Sequence, residues 1–218
     1  MRFLIVFASF LCLTSLWSQC DIGSNETPTY GELIECLGSL SDQHEWLELY
    51  AMGPSDYGLP VYLCVVNGAG DSLQTFAKAR SQTTVLFNNA IHPGEPDGIN
   101  AMFIWLNELK ENPSLLKKLP VVAIIPAYNI GGMHNRSSTS RANQNGPDEY
   151  GFRGNAQNLD LNRDFIKMDS ENAFTFSTIF HALDPDVFVD NHVSNGANYQ
   201  YTLTYIAPVR ERIPPAIR

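Results

Sequence analysis

TTVLFNNAIHPGEPDGINAMFIWLNELK, residues 83–110, decides the fold. Its first eight residues are a short, mostly apolar run closed by Asn and Ala, which reads as a buried strand over 83–90. From Glu95 the period changes: Ile99, Met102, Phe103, Leu106 and Leu109 recur at three- and four-residue steps, so one helical face is apolar. VVAIIPAY (121–128) is the next strand, and its lack of alternation predicts burial on both faces.

Working outward, VYLCVV (61–66) is a strand followed by the turn NGAGD, and residues 27–50 carry helix-like apolar spacing: Leu33, Ile34 and Leu37, then Trp46, Leu47 and Leu49. Downstream, residues 129–160 form a long polar loop rich in Gly, Asn, Ser and Arg, a length that in compact domains is functional or disordered. A helix follows over about 169–183, then a buried strand in DVFVDNH (186–192) and another in YQYTLTYI (199–206). Strands alternating with helices specify α/β architecture: a mixed, mostly parallel central sheet flanked by helices.

The chain has 218 residues, 44% of them hydrophobic, which excludes wholesale disorder. A net charge of −9 would repel a phosphate backbone, so nucleic acid is not an expected partner. Arg2 followed by the uncharged run FLIVFASFLCLTSL reads as an export signal over 1–19, too short to span a bilayer. A lipid anchor at Cys20 is the lesser alternative, since Trp17 and Gln19 fit a lipoprotein signal poorly. With Cys12 removed, Cys20, Cys36 and Cys64 remain, and three single-bridge pairings are open. The expected organisation is a signal (1–19), an N-terminal helical segment (20–60) and a catalytic domain (61–218), in a periplasmic or extracellular protein.

Chemistry-bearing residues gather at three places. In HPGEPDG, His92 and Glu95 lie three apart where strand becomes helix, so both can face the crevice at the strand's carboxyl end. Imidazole and carboxylate are sound zinc ligands, and catalytic zinc commonly takes three protein ligands. The pair alone is a weak signal, because a surface His beside a helix-start Glu is common. His192, at the end of a second strand, is the candidate third ligand. In GFRGNAQNLDLNRDF, Arg153, Asn162 and Arg163 cluster donors before a helix; a guanidinium fork suits a carboxylate or a developing oxyanion.

HPGEPDG, RGNAQNLDLNRDF and DNHVSNGANYQYTLTY, in this order, resemble the zinc carboxypeptidases of the carboxypeptidase A type over about residues 85–206. The resemblance implies a Zn2+ cofactor held by His92, Glu95 and His192, with Asp160 orienting His92. It implies Arg153 as the group polarising the scissile carbonyl, and Asn162 with Arg163 as the clamp for the terminal carboxylate of a peptide substrate. The family's catalytic Glu and substrate-capping Tyr lie well beyond the third ligand. The chain is therefore expected to be an N-terminal portion, able to bind zinc but poor at hydrolysis. Two other functions share the pattern: a zinc deacylase of N-acylated amino acids, and a non-catalytic zinc- and carboxylate-binding module. His44 and His181 read as structural histidines, His134 as a loop residue near substrate at most, and Glu211, in RERIPP, as unlike the catalytic strand.

Overall fold

The computed structural model describes residues 25–142, 144–194, 200–201 and 208–215. Among the described residues seven strands and five α-helices follow in chain order: α1 Tyr30–Gln43, β1 Leu47–Pro54, β2 Pro60–Val66, α2 Ser72–Ser81, β3 Thr84–Asn88, α3 Asp97–Glu111, β4 Val121–Ile125, α4 Ile130–His134, β5 Arg136–Ser137, β6 Tyr150–Gly151, α5 Glu171–Leu183 and β7 Val187–Asp190. Five strands make one mixed sheet in the order β1-β2-β4-β3-β7. β1–β2 and β2–β4 pair antiparallel, whereas β3 pairs parallel with both β4 and β7. The parallel pairs need crossovers, which α3 supplies between β3 and β4.

Local chemistry accounts for the elements. Thr29 opens α1 with a capping box: its hydroxyl accepts from Glu32 N while the Glu32 carboxylate accepts from Thr29 N. Asp71 and Ser170 cap α2 and α5 in the same way, through side-chain oxygens. The five residues of the α3 face, Ile99, Met102, Phe103, Leu106 and Leu109, are all buried. Each such side chain contributes about 1.5–3 kcal/mol through lost water contact. β4 is buried at every position, as its unbroken apolar run predicts. β3 alternates: the Thr84 hydroxyl bonds Ala79 O of α2, while Val85 and Phe87 line a groove with Met102 and Trp105 of α3. The sheet is thus covered by helices on both faces.

Several expectations need correction. The helical reading of 27–50 ends at Gln43; Trp46 precedes a strand, and Leu47 and Leu49 lie on β1, which extends the sheet through β2. β1 packs against α1 and α5, so its burial does not alternate and its spacing mimics a helix. The helix α2 was not anticipated: only Thr75 and Ala79 of its ten residues are buried, leaving no apolar stripe to read. The strand ending before His192 is less buried than expected, with Val187 and Phe188 exposed. The 129–160 loop contains α4 and the small β5–β6 ladder. Residues 1–19, and all of the 199–206 strand except Gln200 and Tyr201, lie outside the described residues.

Cys36 is disulfide-bonded and Cys64 is a free, fully buried thiol that burial pushes up to about 12, so pairings through Cys64 fall away. Among the described residues no helix is long and apolar enough to cross a membrane.

Candidate metal centre

The register of β3 and β7 builds the site. Asn88 pairs with Asp190, so the carboxyl ends of the two strands lie side by side. Just beyond β3 the chain turns at Ala90, in the left-handed region at φ 55°, and the turn is held by Asn129 N bonding Ala90 O. That turn presents His92, and Glu95 follows after a further hydrogen bond from Glu95 N to His92 O. His192 follows Asp190 by two residues on the neighbouring strand's extension. One ligand atom from each of His92, Glu95 and His192 lies within 4.8 Å of the others.

Hydrogen bonding explains what these atoms want. His92 Nδ1 lies 3.2 Å from Glu95 Oε1, and its Nε2 lies 3.2 Å from Asp160 Oδ1. His192 Nδ1 lies 2.9 Å from Glu95 Oε2, and its Nε2 lies 2.9 Å from Asp190 Oδ2. A carboxylate accepts only, so a ring nitrogen facing one can carry a proton; a neutral ring with its proton on Nε2 donates to Asp160 or Asp190. In the neutral tautomers each Nδ1 then points a lone pair at the Glu95 oxygens. With both rings neutral, the two lone pairs and the Glu95 carboxylate converge as acceptors, and a cation among them would satisfy all three. The donor set, two imidazoles and a carboxylate with outer carboxylates fixing both rings, fits zinc.

Protons are the alternative to a cation at these same atoms, and the electrostatics show it. Burial acts to raise the Glu95 carboxyl, but hydrogen bonds with His192, His92 and Arg141 outweigh it and hold the group well below the ordinary range. His192 is raised to about 9, first by its bond to Asp190 and then by that to Glu95. Burial acts to raise Asp160 as well, but bonds with His92 and Arg153 outweigh it, and the group is lowered.

Arg153 donates from Nε to Asp160 Oδ2 at 3.0 Å, and its Nη1 lies 3.4 Å from His92 Nδ1, so its guanidinium reaches the ligand cluster. Asn162 and Arg163 occupy a short 3₁₀ turn capped by Asp160, whose Oδ1 accepts from Asn162 N at 3.0 Å. The Arg163 guanidinium is exposed and donates to Asn162 O, so these two residues adjoin the cluster through Asp160 without touching the three ligand candidates.

Two neighbours escaped the sequence reading. Asp190 holds His192 and is itself held by Asn88 Nδ2 at 2.9 Å; the Asp-x-His spacing at a strand end was an available signal, since alternate residues share a face. Arg141 bonds Glu95 Oε1 at 2.8 Å from the long loop, and no local pattern announced it. His44 stacks on Trp46, His134 on Tyr57, and His181 bonds its own helix at Ser177 O.

No protein-family model matches the sequence, and no curated protein matches it. Solved structures do. A metallo-carboxypeptidase from Burkholderia cenocepacia superposes with a TM-score of 0.61 at 19% identity, over 80% of this chain and 43% of that one. The carboxypeptidase A of Helicoverpa armigera gives 0.60 at 15% identity, over 77% and 46%. A metallo-carboxypeptidase from Pseudomonas aeruginosa, in complex with (2-guanidinoethylmercapto)succinic acid, gives 0.55 at 20% identity, over 75% and 40%. The chain spans less than half the length of these structures. Over that span, its mixed sheet and flanking helices have the metallo-carboxypeptidase fold.

Proposed function

We propose that this chain is part of an exported zinc metallo-carboxypeptidase that hydrolyses C-terminal peptide bonds. One observation carries the reading: His92 Nδ1, His192 Nδ1 and the Glu95 carboxylate converge, while Asp160 and Asp190 occupy the opposite ring nitrogens. Zinc held by His92, Glu95 and His192 would supply Lewis acidity and a water acidified toward a pKa of about 7. The chain's own residues supply the rest. Asp160 keeps the His92 ring in the tautomer that leaves Nδ1 free, and Asp190 does so for His192. Arg153 offers a fixed guanidinium beside the ligand cluster, suited to a peptide carbonyl as it gains negative charge. Asn162 and Arg163 offer an amide and an exposed fork for the substrate's terminal carboxylate. The Pseudomonas structure's ligand, a succinic acid derivative, is consistent with carboxylate recognition in this fold. Export is supported by the residue 1–19 pattern and by the Cys36 disulfide, which suits an oxidising compartment.

The test uses zinc content and two substrates. The chain should bind one zinc, and well-folded His192→Ala should lose it; equal content in both would end the three-ligand assignment. In the whole protein, Arg163→Ala should impair hydrolysis of a free-acid peptide far more than of its amide. Equal loss on both would remove the clamp role.

A further inference from the structure

We infer that Arg141 is a positioning residue for the metal ligand Glu95, resting on the zinc site proposed above. Its Nη1 donates to Glu95 Oε1 at 2.8 Å, and the two side chains are 19% and 3% exposed. A carboxylate offers about four lone-pair positions. Oε2 accepts from Val193 N at 3.3 Å and faces His192 Nδ1, and Oε1 faces His92 Nδ1. Arg141 takes a remaining position on Oε1, so the inward-facing pairs stay available to a cation. The guanidinium therefore fixes the Glu95 rotamer without competing for the metal's place.

The approach of Arg141 is itself prepared. The buried Tyr150 hydroxyl accepts from Arg141 N at 3.2 Å and lies 3.2 Å from both Ser138 O and Arg141 O, holding the loop's backbone. Gln144 Nε2 donates to Gly94 O at 2.6 Å, joining the same loop to the turn between His92 and Glu95. Gly94 leaves the room this needs: a Cβ there would lie 3.1 Å from Arg141 Cδ and 3.0 Å from Gly151 O. Arg141 and Gln144 also line a cavity of about 760 Å³ with Asp97, Arg153 and Ser194, so one wall of that cavity is tied to a ligand carboxylate.

A positive charge beside a metal site also repels the metal, and the two effects oppose. With both imidazoles neutral, as zinc ligands are, three carboxylates (Glu95, Asp160 and Asp190) face two guanidinium groups (Arg141 and Arg153), so the cluster keeps a net negative charge. Orientation then outweighs repulsion, and loss of Arg141 weakens binding.

The experiment measures zinc affinity by chelator competition, and the cobalt(II) absorption spectrum, for the wild-type chain, Arg141→Met, Arg141→Lys and Tyr150→Phe. Partners that orient metal ligands are worth about 10–100-fold in affinity. Arg141→Met should fall by that factor with an altered cobalt spectrum, Arg141→Lys should recover part of it, and Tyr150→Phe should lose less. Unchanged or tighter zinc binding by a folded Arg141→Met overturns the inference and leaves the zinc site standing. If Arg141→Met does not fold, wild-type affinity in Tyr150→Phe overturns it instead. A wild-type chain that binds no zinc overturns the functional reading, and this inference with it.

Discussion

Among the described residues two glutamates are buried, and their surroundings differ in kind. Glu48, 9% exposed on β1, accepts from the Tyr50 hydroxyl at 2.6 Å, the Thr75 hydroxyl at 2.7 Å and the amide of Gly70. All three partners bring a proton. Glu95, 4% exposed, faces two imidazole nitrogens, whose protons can instead sit on the far side of each ring, along with Arg141. The first carboxylate is satisfied as it stands and ties the 67–71 loop to β1 and α2. The second accepts from Arg141 and Val193 N and still faces two imidazole nitrogens that, when neutral, leave a place for a cation. Burial of a carboxylate therefore points to a metal site where its neighbours include imidazoles that can release their protons.

The largest expected effect separates the two directly. At zinc concentrations about 1,000-fold above Kd, a ligand bound only by the folded state adds about 4 kcal/mol. Thermal unfolding of the wild type should show that gain, Glu95→Gln should lose nearly all of it, and Glu48→Gln should keep it. A zinc response that survives Glu95→Gln would erase the distinction.

The next effect reverses the roles. Without zinc, Glu48→Leu should lower stability by about 3 kcal/mol, because it strands buried donors at about 1–3 kcal/mol each. Partial rescue limits the sum: Tyr50 OH lies 3.4 Å from Thr75 Oγ1, which also accepts from Ala69 N. Adding Tyr50→Phe should make the double variant less costly than the sum of the singles, as coupled partners require. Strict additivity in urea unfolding would show that the network is not a unit. Gly68 belongs to it as well, since a Cβ there would lie 2.0 Å from Glu48 Oε2.

The same contrast explains what could be read from the sequence. α3 and β4 were legible because their burial follows a period or an unbroken run in apolar residues. His92, Glu95 and His192 were legible because strand ends in such sheets deliver side chains to a common crevice. Arg141 was not, because a loop docks it through Tyr150 and Gln144, contacts with no periodicity. Glu48 was equally silent: in sequence it is one polar residue between Leu47 and Leu49, and its partners lie up to 27 residues away. Edge strand β1 was misread for a related reason, since helices on its flank set its burial in place of alternation.

The smallest effect concerns a third carboxylate that does Glu48's kind of work at the surface. Glu32 accepts from Thr29 N and from the Thr29 hydroxyl, both at 2.8 Å, and so completes the start of α1. The backbone bond first, and the hydroxyl second, hold its carboxyl below its ordinary value of 4.5. A lowered folded-state pKa contributes stability that is complete above the unfolded value and lost as pH falls through the folded one. Glu32→Gln keeps an oxygen for Thr29 N but removes the charge. The wild type should therefore be the more stable at pH 7, and the gap should close as the pH falls below the ordinary 4.5 and through the lowered folded value. Thr29→Ala, which also removes the hydroxyl from Glu32 N, should cost about 1 kcal/mol at pH 7. Denaturant midpoints across pH decide it. A gap between wild type and Glu32→Gln that stays constant into acid would mean that Glu32 acts through packing rather than as a charged acceptor, and the surface case would part company with the buried one.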